Sequence, residues 1–208
     1  MTTDLAIACS CGALKAAVRG LSARGCNRAV CYCDDCQAFA HFLGRPDEII
    51  DQYGGTEVLQ LSSAYVEFAE GTEQLACMRL KAGGLLRWYA DCCRTPIGNT
   101  LPTHQVPFVG LVHLCIHLDD DALGAVLGPV RARVHGKFAK GKPSGVVVHD
   151  GVPVSYLLRV AAKLLTARLR GDHKRSAFFD PNTGLPRVVP HVLTVDERRA
   201  VEKARDAR

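Results

Sequence analysis

Hydrophobic and polar residues alternate through much of the first 118 positions, and a period of two marks strands buried on one face. Residues 5–20 predict a short strand, a turn at Cys11-Gly12, and then the alternating "ALKAAVR". "GGTEVLQL" (54–61), "AYVEFAEG" (64–71) and "EQLACMRLKAGGLLRWYAD" (73–91) follow as successive strands with glycine turns. "VGLVHLCIHL" (109–118) is the clearest strand pattern of all. Between them, "RPDEIIDQY" (45–53) predicts one or two helical turns, with Pro46 at an early position and acids in the first turn. "GCNRAVCYCDDCQAF" (25–39) holds too many special residues to read as a plain strand or helix.

The period then changes. "VSYLLRVAAKLLTARLR" (154–170) is an amphipathic helix by the spacing of Leu157, Val160, Ala161, Leu164 and Leu165. That stripe is expected to pack on the sheet while Arg159, Lys163, Arg168 and Arg170 are solvated; a membrane or nucleic-acid surface is the rarer use of such a segment. "TVDERRAVEKA" (194–204) is a last helix, opened by a capping box of Thr194 and Glu197. "AFFDPNTGLP" (177–186) reads as an ordered turn anchored by its Phe pair, and "GKFAKGKPSG" (136–145) as the candidate boundary or flexible segment. The expected architecture is a mainly β unit over 1–118 followed by a helical, basic extension over 119–208.

Charge sharpens that division. The net charge of +5 is uneven: residues 1–130 hold 9 Lys+Arg against 14 Asp+Glu, and residues 131–208 hold 17 against 7. At 208 residues and 48% hydrophobic, the chain suits one domain, or one domain with an appendage. The opening "MTTDLAIACS" places Asp4 where a secretory signal carries Lys or Arg, and no apolar run reaches the ~18 residues of a membrane span. A reducing cytoplasm is therefore expected, where clustered cysteines bind metal more often than they form disulfides.

Cys9-x-Cys11, Cys31-x-Cys33-x-x-Cys36 and Cys92-Cys93 account for seven of the ten cysteines. Near neighbours meet disulfide geometry poorly, whereas thiolates one to three residues apart reach one zinc ion if the backbone turns sharply. One or two Zn2+ per chain are expected, with Cys77 and Cys115 as core thiols and Cys26 unassigned.

The order Cys-x-Cys-Gly, Cys-x-Cys-x-x-Cys and then an aromatic-rich strand ending in a cysteine knuckle resembles the glutathione-dependent formaldehyde-activating family over residues 5–100. The resemblance implies a β-tent of small antiparallel sheets around zinc. It implies Cys9, Cys11 and Cys93 as structural ligands, and Cys31, Cys33 and Cys36 as the reactive set with a position open to a substrate thiol. Three residues depart from the family pattern: Tyr32 for a His, Ala90 for the first knuckle Cys, and Arg94 for a Gly. Cys92 is the candidate fourth structural ligand; a borrowed Asp91 or His104, a three-coordinate site, or a lost site are the alternatives.

Zinc with three thiolates carries about −1, so it suits capture of a thiol better than activation of water. The implied activity is a carbon–sulfur lyase-like one on a small thiol, such as glutathione, or its aldehyde adduct. Cys31, Cys33 and Cys36 are its catalytic candidates, with Arg28, Arg45, Arg87 and Arg94 as possible counter-cations. A zinc-stabilised binding or scaffold module is the rival. His113, Cys115 and His117 would share one face of the 109–118 strand, and Asp34 and Asp35 are candidate acid–base groups or plain turn acceptors. Nucleic acid is not an expected partner.

Overall fold

The alternating segments pair as their pattern requires. The computed structural model describes residues 2–118 and 120–207. Its strands are β1 (Thr3–Ala8), β2 (Lys15–Leu21), β3 (Asn27–Cys31), β4 (Thr56–Leu61), β5 (Val66–Glu70), β6 (Leu75–Arg79), β7 (Leu86–Ala90), β8 (Thr95–Thr100), β9 (Val109–Val112), β10 (Val130–Val134) and β11 (His191–Val192). The helices are α1 (Asp34–Phe42), α2 (Pro46–Ile49), α3 (Asp120–Leu127), α4 (Val154–Leu169) and α5 (Val195–Asp206).

The strands form a three-stranded sheet, β1-β2-β5, and an eight-stranded sheet, β10-β3-β4-β9-β8-β7-β6-β11. The fold is mainly β. Pairing is antiparallel except at the two edges of the larger sheet, where β10 runs parallel to β3 and β11 parallel to β6. Both edge strands come from the region after residue 118, which thereby joins the sheet as well as supplying helices. The expected division after residue 118 falls at position 119, outside the described residues.

Two hydrophobic layers follow from the alternation. Leu86, Trp88, Ile97 and Leu111 face Leu5, Ile7 and Val18 of the smaller sheet. Phe178, from the turn before β11, plugs this layer 5.2 Å from the Trp88 ring and 5.4 Å from Phe68. The expected Phe anchor is thus present, and the Asp180 carboxylate accepts from the Asn182 and Thr183 amides to shape the turn. Burying a Phe side chain contributes roughly 1.5–3 kcal/mol, and its truncation costs about 3–5 kcal/mol. The other face of the large sheet, with Ala29, Val58, Met78, Tyr89 and Val112, packs beneath Phe39 of α1, Tyr156 of α4 and Val201 of α5. Gly71 (φ 69°) closes β5 against the β1–β2 turn; any Cβ there would run into the Ala13 carbonyl.

The expected strand 109–118 ends at Val112. The chain turns into a 3-10 segment over His113–Cys115 and returns only as an isolated bridge between Ile116 and Ile7. His113, Cys115 and His117 therefore do not share a strand face. Cys115 is fully buried with its thiol donating to the Val112 carbonyl, while His117 is exposed and contacts the Ala8 carbonyl. Segment 136–145 is not a free linker: the Lys140 amide donates to the Tyr53 carbonyl, and Gln37 donates to the Phe138 carbonyl.

Helix α4 is rotated from expectation: of the expected stripe, Val160 and Leu164 turn inward, while Leu157, Ala161 and Leu165 are exposed. Tyr156 and Ala167 are buried and Val160 packs against the core, but Leu158 is 64% exposed, Leu165 61% and Leu169 80%. The inward face also carries Lys163, whose ammonium reaches the Cys26 carbonyl at 2.6 Å. The α5 capping box forms as expected between Thr194 and Glu197.

Candidate metal centres

Cys9 and Cys11 lie in the turn from β1 to β2, and Cys92 and Cys93 in the turn from β7 to β8. The first turn aims one amide at a sulfur and another at a carbonyl. Gly12 N–H donates to the Cys9 carbonyl at 2.9 Å, and Leu14 N–H donates to Cys9 Sγ at 3.2 Å. Gly12 takes φ 77°, the left-handed conformation that glycine adopts without steric cost. The second turn makes the same reversal with Arg94 at φ 57°.

Thr95 locks the two turns together. Its hydroxyl accepts from the Ser10 amide at 3.0 Å and lies 3.1 Å from Cys93 Sγ. Arg45 Nη1 donates to this oxygen at 2.8 Å and to the Cys93 carbonyl at 3.1 Å.

The four sulfurs converge. Cys9 Sγ stands 3.5 Å from Cys11 Sγ and 3.7 Å from Cys92 Sγ; Cys11 and Cys92 are 3.3 Å apart, and Cys92 and Cys93 are 3.8 Å apart. All four lie within 4.8 Å of one another and could hold a metal ion. Cys92 joins this set alongside Cys93. Asp91 does not; it pairs with Arg94 at 3.2 Å. His104 lies by Phe179 and Gln105. Burial raises the Cys93 thiol, but hydrogen bonds with the Thr95 hydroxyl and the Cys11 backbone outweigh it and bring the pKa to about 6. Cys92 is pushed up by burial and by hydrogen bonds with Cys11 and Cys9. The pair thus favours one thiolate beside one thiol.

The second set is built on one reversal. Cys31 ends β3, Cys33 is the N-cap of α1, and Cys36 lies in that helix's first turn, its amide donating to the Cys33 carbonyl at 3.0 Å. A helix N-terminus favours negative charge, which suits thiolates. The three sulfurs lie within 4.8 Å of one another, and no fourth His, Cys, Asp or Glu ligand atom joins them among the described residues. Hydrogen bonds with Cys31 and Cys33 hold the Cys36 thiol well below its ordinary value, with the Arg87 guanidinium assisting against burial. A hydrogen bond with Cys33 draws Cys31 down, but Cys36 and burial outweigh it and raise its pKa. Hydrogen bonds with Cys31 and Cys36, then burial, raise Cys33. Of the three thiols, Cys36 is the one whose ionisation these surroundings favour.

Among the four candidate arginines, Arg87 is the one placed at this triad. It is 2% exposed, donates to Asn99 Oδ1 at 3.2 Å and lies 3.8 Å from the Asp35 carboxylate. Arg45 supports the four-sulfur turns through Thr95 and the Cys93 carbonyl, and Arg94 pairs with Asp91 and stacks on Phe42 and Tyr89. Arg28 is used elsewhere, donating to Glu57 at 2.7 Å and to the Gly128 carbonyl at 3.1 Å. Tyr32 is buried, between Asp51 and Arg133. Asp34 accepts the Asp35 amide at 3.0 Å, a turn contact, and faces Arg205 of α5 at 3.9 Å. Cys77 and Cys115 are buried, and burial pushes both up to about 12, as suits core thiols. Cys26 is buried as well.

Sequence reasoning missed Thr95, Thr56 and Asn99. Thr95 had a signal, a hydroxyl two residues beyond a cysteine pair. Thr56 had none: it stands directly across from Cys31 in the β3–β4 register, and its buried hydroxyl has no hydrogen-bond partner among the described residues.

No helix among the described residues is long and apolar enough to cross a membrane. No curated protein matches the chain. A solved structure of a Rhodobacter sphaeroides protein is similar over 59% of this chain and 97% of its own, at 15% identity and a TM-score of 0.42. The model of DUF6151, a family of unknown function, matches residues 1–188, cysteine clusters included, and the chain belongs to that family.

Proposed function

We propose that the chain is a zinc-dependent carbon–sulfur lyase-like enzyme acting on a small thiol or its aldehyde adduct, in the manner of the glutathione-dependent formaldehyde-activating family. The observation that carries this reading is the inequality of the two cysteine sets: four sulfurs in one, three in the other. Tetrahedral zinc with Zn–S bonds of about 2.3 Å needs sulfur–sulfur edges of about 3.8 Å. The edges among Cys9, Cys11, Cys92 and Cys93 run from 3.3 to 3.8 Å where they are in direct contact, so this set fits a closed structural ion. The β-tent reading follows from the same assignment: two sheets joined across this zinc knot.

Cys31, Cys33 and Cys36 fit an ion with one position left for substrate. Zinc held there supplies a site at which a substrate thiol is kept as thiolate near neutral pH. The chain's residues prepare that site. The α1 N-terminus and the Arg87 guanidinium offset the gathered negative charge. The Thr56 hydroxyl, unpartnered and across from Cys31 in the strand register, offers a donor to a bound substrate. Asp34 and Asp35 line the first turn of α1 next to the triad. The reaction class is addition of a thiolate sulfur to an aldehyde carbon, with a proton taken up by the carbonyl oxygen, and its reverse.

The test is exchange NMR on metal-loaded protein with formaldehyde and glutathione or other small thiols. Faster adduct exchange than in buffer supports the enzyme. No acceleration with any thiol removes it. A second reading, a zinc-stabilised interaction module, is favoured by the outward apolar face of α4. X-ray absorption separates the two: four sulfurs at every metal supports the module, and an average below four supports the enzyme.

A further inference from the structure

Helix α4 breaks the amphipathic rule at one residue. Leu157, Leu158, Leu165 and Leu169 face solvent while Lys163 is turned onto the sheet, and such local violations mark functional positions. The lysine lines a cavity of about 280 Å³ between α4 and the ends of β3 and β4. Asn27 and Gln60, opposite each other in register, form part of its floor, and Val160, Leu164 and Phe108 give it apolar walls. Arg24 stands exposed at its rim. Arg170 also lines it but is held by Asp172 at 3.1 Å and the Tyr65 hydroxyl at 3.2 Å, and no Asp or Glu lines it.

The Lys163 ammonium donates to the Cys26 carbonyl at 2.6 Å and to Asn27 Oδ1 at 3.0 Å. An ammonium has three N–H groups, so one is left over. Both acceptors are neutral, and Lys163 has no carboxylate partner among the described residues. A partly buried charge without a counter-ion is costly. The strain is visible in its acidity: burial is the first cause lowering the lysine pKa.

We propose that this cavity binds a small organic carboxylate, with the carboxylate on Lys163 and the apolar body against Phe108, Val160 and Leu164. The volume lies just under the ~300–1,000 Å³ of drug-sized ligand sites, so the ligand is small. A single charge matches the single inward ammonium, and Arg24 at the rim attracts the anion on entry. The site shares no lining residue with either cysteine set.

Isothermal titration of the full-length protein with phenylacetate and hexanoate, each against its amide, tests this. The expected result is saturable one-to-one binding of a carboxylate, at least tenfold tighter than its amide. Lys163→Met, with folding checked by circular dichroism, is expected to remove that preference. If Lys163→Met does not fold, the comparison of acid with amide on the wild-type chain decides alone. No binding of either acid at millimolar concentration, equal binding of acid and amide, or an unchanged preference in Lys163→Met overturns the proposal.

Discussion

The Arg94 guanidinium lies 4.8 Å from the centre of the Phe42 ring, and this contact ties the turn bearing Cys92 and Cys93 to the helix bearing Cys36. The same guanidinium covers Tyr89 at 4.7 Å. Arg94 also holds φ 57°, a conformation that costs a residue with a Cβ about 1–2 kcal/mol. The stacked rings offset that cost, which explains how an arginine can close a turn that would otherwise suit glycine.

The two contributions can be separated. Arg94→Ala keeps the strained backbone and loses the stacking, so it is expected to destabilise the protein by about 1–2 kcal/mol. Arg94→Gly loses the stacking but relieves the backbone. It should be more stable than the alanine variant by about 1 kcal/mol, or about 2–4 °C in Tm for a chain of this size. Thermal unfolding of the metal-loaded variants measures this. Equal Tm values would show that the left-handed turn is not strained.

Asp180 sets an acid limit on stability. Hydrogen bonds from the Thr183 and Asn182 amides hold its carboxyl below the ordinary carboxylate range. A depressed folded pKa means that the unfolded chain takes up a proton first as pH falls. The stabilisation is therefore complete above the unfolded value of ~3.9 and is lost as pH drops through the lower folded value. Asp180→Asn should lower Tm at pH 7 and lower it less at pH 3. A difference that is constant across this range would place the effect in packing of the Phe178 turn instead.

What the sequence disclosed follows the range of each interaction. Cys31, Cys33 and Cys36 were legible because ligands on one reversal must be near neighbours. The joining of Cys9 and Cys11 to Cys92 and Cys93 spans more than eighty positions and required the resemblance; the part played by Cys92 became plain only in the sulfur distances. Helix α4 misled in part because both of its faces are apolar: Leu157, Ala161 and Leu165 of the expected stripe lie outward, Val160 and Leu164 turn inward beside Tyr156 and Ala167, and periodicity alone cannot choose between them. The strand pattern of 109–118 failed because Cys115 leaves the ladder to bury its thiol. β10 and β11 were missed because they are short edge strands whose pairing depends on distant partners.

The outward leucines of α4 make a direct prediction. Leu158→Gln and Leu165→Gln should each change stability by less than about 0.5 kcal/mol, because these side chains are already in water. Tyr156→Phe, on the opposite face, removes the 2.7 Å hydrogen bond to Gln60 Oε1 and should cost about 1 kcal/mol. Urea unfolding of the three variants gives the comparison. Leucine variants that lose 2 kcal/mol or more would mean that another surface covers this face in solution.

The last prediction concerns the buried cation at the triad. Arg87 helps offset the charge on Cys36 and satisfies Asn99, so Arg87→Met leaves that charge less compensated and the buried Asn99 amide oxygen without its partner. Removing one member of such a buried arrangement costs about 3–5 kcal/mol. The metal content should fall with it. Plasma mass spectrometry on the wild-type chain is expected to give two zinc ions, and on Arg87→Met one, still released by Cys9→Ser and no longer affected by Cys31→Ser. Arg87→Lys restores the charge without the forked geometry, so its second ion should return with weaker affinity. Two tightly held ions in Arg87→Met would remove Arg87 from the triad's electrostatics, and a wild-type chain that loses nothing on Cys31→Ser would leave the proposed chemistry without its centre.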